Sequence, residues 1–168
     1  MMNNSTFTVP AEDRYFEDYI AGSMHEYGSI AVEQEEIISF AKRFDPQVFH
    51  TDPEGAKKTI FEGLIASGWH TCGLMMRLFA DHFLPKKASL GSPGIDELRW
   101  NKPVRPGDEL SIRVTVLESK RSRSKPDRGI IHSSIEVTNQ DRDVVMSMKA
   151  VNLFLCRQGP QGNAESDS

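Results

Sequence analysis

The sequence predicts one α+β domain in which a long antiparallel sheet curls around a central helix. Its 168 residues suit a single domain, and 38% of them are hydrophobic, which is enough for a sizeable core. Residues up to about 83 follow a helical pattern, whereas residues from about 95 onward alternate between polar and apolar as strands do. Residues 69–83 are apolar on most sides, which is typical of a helix surrounded by protein.

The first half of the chain predicts a short strand and two helices. A strand over residues 29–32 precedes a helix over residues 33–44, whose apolar side chains share one face: Ile37, Phe40, Ala41 and Phe44. Pro46 ends that helix. The next helix begins with Asp52 as its N-cap and Pro53 in its first turn, and it ends near Phe61.

The central helix and the sheet follow. Ser67 is a candidate cap for the helix over residues 69–83. Four alternating segments after it predict strands, at residues 95–100, 109–118, 130–138 and 144–156. Because these strands are long and neighbouring in sequence, antiparallel pairing is favoured.

Charge and cysteine content exclude several classes of protein. Twenty Lys and Arg residues against 24 Asp and Glu residues give a net charge of −4, which argues against a general nucleic-acid binder. The two cysteines, Cys72 and Cys156, form no CxxC pair and have no histidine nearby at metal-ligand spacing. A disulfide scaffold and a zinc finger are therefore excluded, and a reducing compartment is favoured. We expect no metal ion and no cofactor.

Targeting and membrane signals are not evident in the sequence. The N-terminus lacks the basic and apolar segments of a secretory signal. The most apolar stretch, residues 63–80, contains His70 and Arg77, so we interpret it as a buried helix rather than a membrane span. We expect a cytoplasmic protein with no membrane partner. The polar residues 1–14 and 158–168 are expected to be flexible segments on either side of a domain at residues 15–157.

An acid and an imidazole flank the turn after the first helix. Asp45 lies at the end of that helix, and His50 follows five residues later, just before the next helix. Both side chains could reach one cleft and share acid and base work on a water molecule. The same spacing also fits a plain turn at Asp45-Pro46 and a histidine that only assists the helix cap.

A glycine opens the buried helix. Gly68 lies at its first turn, where a ligand can approach the backbone closely and the positive end of the helix favours a developing negative oxygen. Gly68 is therefore a candidate oxyanion site built from backbone N–H. The alternative is that Gly68 only allows the helix to pack tightly.

Taken together, these segments resemble the MaoC-like dehydratases, which are (R)-specific enoyl-CoA hydratases of hotdog fold. The resemblance rests on D-x4-H-x-D-P at residues 45–53, on G-L-I-A-S-G-W-H-T around Gly68, and on the later K-P-V-x-P-G-D and N-Q segments. It extends over about residues 15–157. It implies a hotdog domain, a long antiparallel sheet wrapped around a central helix with an additional helical overhang.

The resemblance also implies a reaction and a set of residues. Asp45 and His50 match the catalytic pair that activates water for addition to a trans-2-enoyl-CoA, giving an (R)-3-hydroxyacyl-CoA. Gly68 matches the glycine whose N–H receives the thioester carbonyl oxygen, and we place Ser67 and Trp69 beside it as substrate contacts. Family members are dimers or assemblies of dimers, so the expected partners are acyl-CoA and a second copy of the chain.

Two departures from the family pattern change the expected pocket wall. The usual Asn-Pro of a D-x-N-P-x-H pattern is Gln47-Val48 here, and the usual His-Gly-Met at the helix start is Ser67-Gly68-Trp69. Both departures keep the catalytic pair and the glycine. A hotdog acyl-CoA thioesterase and a non-catalytic acyl-CoA-binding subunit are the alternatives, although a thioesterase usually has a carboxylate on the central helix, where this chain offers only Asp81.

A basic stretch is a candidate contact for the phosphates of CoA. Residues 99–128 carry nine basic and four acidic side chains, a balance of +5. Residues 119–126, with the sequence SKRSRSKP, form a basic loop within it. A solvated loop with surplus charge is the alternative.

Overall fold

The computed structural model describes residues 6–158, which form a five-stranded sheet and four helices. Two 3₁₀ turns, Ala11–Asp13 and Phe16–Asp18, precede strand β1. The remaining elements, in chain order, are β1 Met24–Ala31, α1 Gln34–Phe44, α2 Val48–Thr51, α3 Pro53–Ala56, α4 Gly68–His82, β2 Gly94–Trp100, β3 Glu109–Arg121, β4 Arg128–Thr138 and β5 Val144–Leu155.

Every pair of neighbouring strands in the sheet is antiparallel. The strand order is β1-β3-β4-β5-β2, so β1 and β2 are the two edges. In β3, β4 and β5, buried side chains alternate with more exposed ones, as in a sheet with one face on the core. The expected antiparallel sheet is confirmed.

Helix α4 is the central helix and lies against this core. Its buried side chains include Leu74, Met75, Leu78 and Phe79, which join one cluster with inward residues of β3, β4 and β5. Burial of each large apolar side chain contributes about 1.5–3 kcal/mol, so the contact of α4 with the sheet stabilises the fold by several kcal/mol. Helices α1, α2 and α3 form the overhang that precedes α4 in the chain.

Some element boundaries differ from the sequence predictions. Strand β1 begins at Met24 rather than at residue 29, because Gly28 lets the strand continue close to Ser111 of β3, where a Cβ would collide with the serine side chain. His25 therefore lies buried on this strand. Asp52 is confirmed as an N-cap, since its Oδ1 accepts from the Glu54 N–H at 3.1 Å, but α3 ends at Ala56.

The described part of the N-terminal segment contacts the domain. The Phe7 ring stacks on His25 with centroids 4.3 Å apart, and the Arg14 guanidinium lies 3.9 Å above the Phe7 ring. Arg14 also donates to the carbonyl oxygen of His82 at 2.7 Å. Apart from Gln158, the expected C-terminal tail lies outside the described residues. Among residues 6–158, no helix has the length and apolar character needed to cross a membrane.

Candidate active site

The end of α1 positions Asp45. Its N–H donates to the carbonyl oxygen of Ala41 at 2.8 Å, which closes the last turn of the helix. Pro46 cannot continue the helix, so the chain leaves in an extended direction. The Asp45 carboxylate accepts two side-chain hydrogen bonds, from Ser67 Oγ to Oδ2 at 2.7 Å and from Gln47 Nε2 to Oδ1 at 2.8 Å.

Helix α2 and the segment before α4 hold His50 between them. His50 is only 4% exposed, and its Nδ1 lies 2.7 Å from the carbonyl oxygen of Ile65. The Ile65 N–H donates in turn to the carbonyl oxygen of Phe49 at 2.9 Å. Because a carbonyl oxygen only accepts, Nδ1 carries the hydrogen, and Nε2 is the ring atom left for chemistry.

Asp45 and His50 therefore face each other. His50 Nε2 lies 3.3 Å from Asp45 Oδ2. In the neutral ring both atoms are hydrogen-bond acceptors, so the pair is suited to receive the two hydrogens of a single water molecule, or to share one proton when the ring is cationic. The sequence expectation that this acid and imidazole come together agrees with the geometry.

Hydrogen bonds keep Asp45 anionic. Burial raises the pKa of this carboxyl, but the hydrogen bonds from Ser67 and Gln47 and the charge of His50 outweigh it, and the pKa lies below its ordinary value. At neutral pH Asp45 is therefore a proton acceptor rather than a donor.

Gly68 begins α4 opposite this pair. The first N–H groups of a helix have no partner within it, and the helix dipole adds positive potential there. The Trp100 indole lies against the Gly68 Cα, where a Cβ would collide with the ring, and its Nε1 donates to the Gly68 carbonyl oxygen at 3.0 Å. Glycine is needed here because Trp100 packs on the helix start.

A cavity of about 310 Å³ is lined by both His50 and Gly68, whereas Asp45 is not among its lining residues. Its wall includes His50, Gly68, Thr71 and Trp100 and is otherwise mostly apolar, completed by Phe61, Ile65, Ala66, Asn101, Lys102, Pro103, Val104 and Val145. A larger cavity of about 510 Å³ lies beside β1 and β3 but contains none of the predicted site residues. An apolar pocket with a few convergent polar groups is the usual form of a small-molecule site, so the smaller cavity is the candidate active site.

Ser67 and Trp69 do not line this cavity. Ser67 is fully buried and its hydroxyl donates to Asp45, so it orients the carboxylate and does not cap α4 as expected. Trp69 is 59% exposed and makes an edge contact with Trp100 at a centroid distance of 5.2 Å. Sequence reasoning missed Gln47 and Trp100. A glutamine two residues after Asp45 was a weak signal for a local bond, whereas nothing in the sequence placed Trp100 beside Gly68.

The K-P-V-x-P-G-D segment, residues 102–108, holds the chain in place just before α4. The Val104 carbonyl oxygen accepts from the Ala66 N–H at 2.8 Å, just before α4 begins. Gly107 has a φ of +88°, which favours glycine, and Asp108 Oδ2 accepts from the Arg105 N–H at 2.9 Å. Gln140 of the N-Q segment donates to Asp108 Oδ1 at 3.0 Å, so the two motifs brace each other.

Comparison with known proteins assigns the chain to a family. The sequence profile described as MaoC like domain matches residues 16–138. The chain belongs to the MaoC-like family. The MaoC-like chain is 31% identical over 124 residues to the uncharacterized protein YdeM of Bacillus subtilis, across 74% of this chain and 86% of YdeM.

Solved structures confirm the expected fold. The MaoC-like dehydratase from Rhodospirillum rubrum superposes with a TM-score of 0.80 at 39% identity, covering 86% of this chain and 99% of that one. The unliganded R-hydratase PhaJ1 from Pseudomonas aeruginosa superposes with a TM-score of 0.64 at 25% identity, covering 88% and 95%. The MaoC-like protein is thus a single hotdog domain, as the resemblance implied.

Proposed function

We propose that this protein catalyses the reversible hydration of a trans-2-enoyl-CoA to an (R)-3-hydroxyacyl-CoA. One observation carries the proposal: His50 and Gly68, the first residue of α4, line one small apolar cavity, and Asp45 Oδ2 lies 3.3 Å from His50 Nε2. Membership of the MaoC-like family and the similarity to an R-hydratase support the reaction class and its stereochemistry.

The N–H of Gly68 receives the thioester carbonyl oxygen. Addition of water at Cβ of a conjugated thioester moves negative charge onto that oxygen. A fixed N–H at a helix start stabilises this charge, and removal of one such donor typically lowers the rate about 10²–10³-fold. The remaining wall of the cavity is mostly apolar and strengthens the interaction by excluding water.

Asp45 and His50 move the proton. The water gives its oxygen to Cβ and one proton to the pair, while Cα takes one proton from the pair, so the protein ends the cycle unchanged. Asp45 is anionic at neutral pH and accepts, and His50 takes part through Nε2 because Nδ1 is bonded to Ile65. Ser67 and Gln47 position the carboxylate for this exchange.

The volume of the cavity favours a substrate with a short or medium acyl chain. A cavity of about 310 Å³ must hold the thioester, the water and the acyl group together. Trp100 is in the wall of this cavity, and Trp69, which does not line it, packs on the Trp100 ring. Trp100 therefore limits the space for the acyl chain.

A homodimer is the expected assembly, and the free edge at β2 is its interface. The exposed large apolar side chains of this region lie on β2 and on the adjacent face of α4: Trp69, Met76, Ile95 and Trp100. If two copies of β2 pair antiparallel about a two-fold axis between Glu97 and Leu98, Ile95 lies opposite the partner's Trp100, and Asp96 lies opposite the partner's Arg99. This self-complementary pairing covers an edge strand that would otherwise be open to aggregation.

An assay with crotonyl-CoA tests the proposal. We expect the native protein to remove the conjugated absorbance of crotonyl-CoA without releasing thiol. Chiral chromatography should identify the product as the (R)-hydroxy isomer. Asp45→Asn and His50→Gln should each lower kcat by about 10²–10⁴-fold. Thiol release would indicate a thioesterase, and binding without turnover would indicate an acyl-CoA-binding subunit. Retention of native turnover by both variants would refute the assignment of the site.

A further inference from the structure

His70 is a buried histidine that the proposed reaction leaves unused. It lies on α4, three residues after Ser67, and is only 4% exposed. Its Nε2 lies 2.9 Å from Glu36 Oε1 of α1, and its ring stacks on the Phe40 ring with centroids 5.1 Å apart. Because a carboxylate oxygen only accepts, Nε2 carries the hydrogen of this contact. Glu36 and Phe40 are four residues apart on one face of α1, so both hold the ring from the same helix.

The other ring nitrogen of His70 gains nothing from its surroundings. Among the residues that the structure describes, Nδ1 is buried and has no hydrogen-bond partner. An unpaired buried nitrogen costs free energy, so an apolar side chain of similar size would stabilise this position better than histidine does. The bond from Nε2 to α1 is therefore what histidine supplies here and an apolar side chain does not.

The surroundings of His70 are separate from the candidate active site. A cavity of about 610 Å³ beside the ring is lined by Glu36 and Arg43 of α1 and by Arg77 of α4, and Arg77 is paired with Asp81 at 2.8 Å. Neither Glu36 nor His70 lines the active-site cavity. These two residues can therefore influence the reaction only through the helices that carry them.

The Glu36–His70 contact joins the same two elements as the hydrogen bond between Asp45 and Ser67. Glu36 lies in the first turn of α1, and Asp45 follows the last residue of that helix. Nine residue steps at 1.5 Å each put about 13.5 Å of rigid helix between them. On the other side, Ser67 and His70 are three residues apart at the start of α4. A tilt of α1 away from His70 therefore changes where its far end places the Asp45 carboxylate.

We propose that the Glu36–His70 contact fixes the tilt of α1 on α4 and so keeps the Asp45 carboxylate within reach of the Ser67 hydroxyl. This inference rests on the proposed function. Glu36 and His70 are positioning residues, since neither touches the substrate. Without their contact, the hydrogen bond from Ser67 Oγ to Asp45 Oδ2, 2.7 Å in the native protein, lengthens, and the Asp45 anion loses part of its stabilisation.

Two amide substitutions at position 70 test the contact by its reach. Glutamine places its N–H groups about where histidine has Nε2, whereas asparagine places them about where histidine has Nδ1, too close to the α4 backbone to reach Glu36. On the acid side of the pH profile, His70→Asn should lower kcat for crotonyl-CoA about tenfold and change KM less than about twofold. His70→Gln should keep kcat within about twofold of the native value. Equal kcat values for the two variants would overturn the proposal.

Truncation of Glu36 tests the other partner without opening the core, since this side chain is 52% exposed. Glu36→Ala should lower kcat by the same factor as His70→Asn. The matched control, Glu35→Ala, removes the same charge from the first turn of α1 and should leave kcat as in the native protein. In the Ser67→Ala background, Glu36→Ala should cause no further loss, because the hydrogen bond through which it acts is already absent. An equal loss with Glu35→Ala, or an additive loss in the Ser67→Ala background, would refute the positioning role.

An NMR titration separates this inference from the proposed function. The carboxyl carbon of Asp45, assigned by its absence from Asp45→Asn, reports ionisation without any turnover. The pKa of Asp45 lies below its ordinary value in the native protein, and Glu36→Ala and Ser67→Ala should both raise it, whereas Glu35→Ala should not. Absence of crotonyl-CoA turnover by the native protein would refute the hydratase assignment. An Asp45 pKa in Glu36→Ala identical to the native one would refute the positioning contact.

Discussion

Replacing Ser67 with alanine tests how Asp45 is kept anionic. The Ser67 hydroxyl is fully buried and donates to Asp45 Oδ2 at 2.7 Å. A hydrogen bond to a charged group contributes about 1.5–3 kcal/mol. Because the Asp45 side chain is 20% exposed and water can replace part of the interaction, we expect a loss at the lower end of this range, about 1.5 kcal/mol, which corresponds to roughly a factor of ten.

The sign of the effect follows from the charge on Asp45. The pKa of Asp45 lies below its ordinary value, so the carboxylate is ionised at neutral pH and activity is lost as pH falls through that pKa. Removing a donor to the anion weakens its stabilisation, and the acid limb of kcat/KM against pH moves to higher pH. At a pH on that limb, Ser67→Ala should have about tenfold lower kcat/KM than the native enzyme, and the difference should narrow toward neutral pH.

Ser133 provides the matched control. It is as fully buried as Ser67, but within residues 6–158 its hydroxyl has no hydrogen-bond partner. Ser133→Ala should leave the pH profile in place and keep or raise the stability. If the acid limb of Ser67→Ala coincides with that of the native enzyme and of Ser133→Ala, the Ser67 hydrogen bond does not set the ionisation of Asp45.

Three further substitutions test the surrounding structure. Gly68→Ala drives a Cβ into the Trp100 indole and should cost about 1–3 kcal/mol of unfolding free energy by urea titration, with part regained when Trp100→Ala is added. If Gly68→Ala lowers the unfolding free energy by the same amount in the Trp100→Ala background as in the native protein, the added Cβ does not collide with Trp100. Trp100→Ala alone opens the cavity wall, so kcat/KM for octenoyl-CoA relative to crotonyl-CoA should rise, and an unchanged ratio would remove Trp100 from chain-length selection. Tyr19→Phe removes the buried hydroxyl that donates to the Phe83 carbonyl oxygen at 2.6 Å and should cost about 1 kcal/mol with activity retained. An unfolding midpoint identical to the native one would contradict that contribution.

The sequence predicted the architecture because each element has a strong local pattern. Alternation in β3, β4 and β5 and the all-round apolar character of α4 reflect burial directly. Boundaries were less accurate where tertiary contacts decide them. Strand β1 continues past Gly28 only because β3 lies beside it, and nothing local to the sequence reports that neighbour.

The candidate site was predicted in part for the same reason. Asp45, His50 and Gly68 stand at helix ends, where proline, aspartate and glycine mark the chain. The role of Ser67 was mistaken because a serine before a helix usually caps it, whereas here Asp45, 22 residues earlier, accepts its hydrogen bond. Trp100 is separated from Gly68 by 32 residues and reaches the site only because β2 brings it next to α4. The sequence around Trp100 therefore gave no indication of this contact.

A crystal structure of the Asp45→Asn protein with crotonyl-CoA measures the central claim most directly. The account predicts that the thioester carbonyl oxygen lies about 3 Å from the Gly68 N–H, with the Cα=Cβ bond facing residue 45 and His50 Nε2. An acyl group bound in a different cavity, or a carbonyl oxygen turned away from the start of α4, would contradict it.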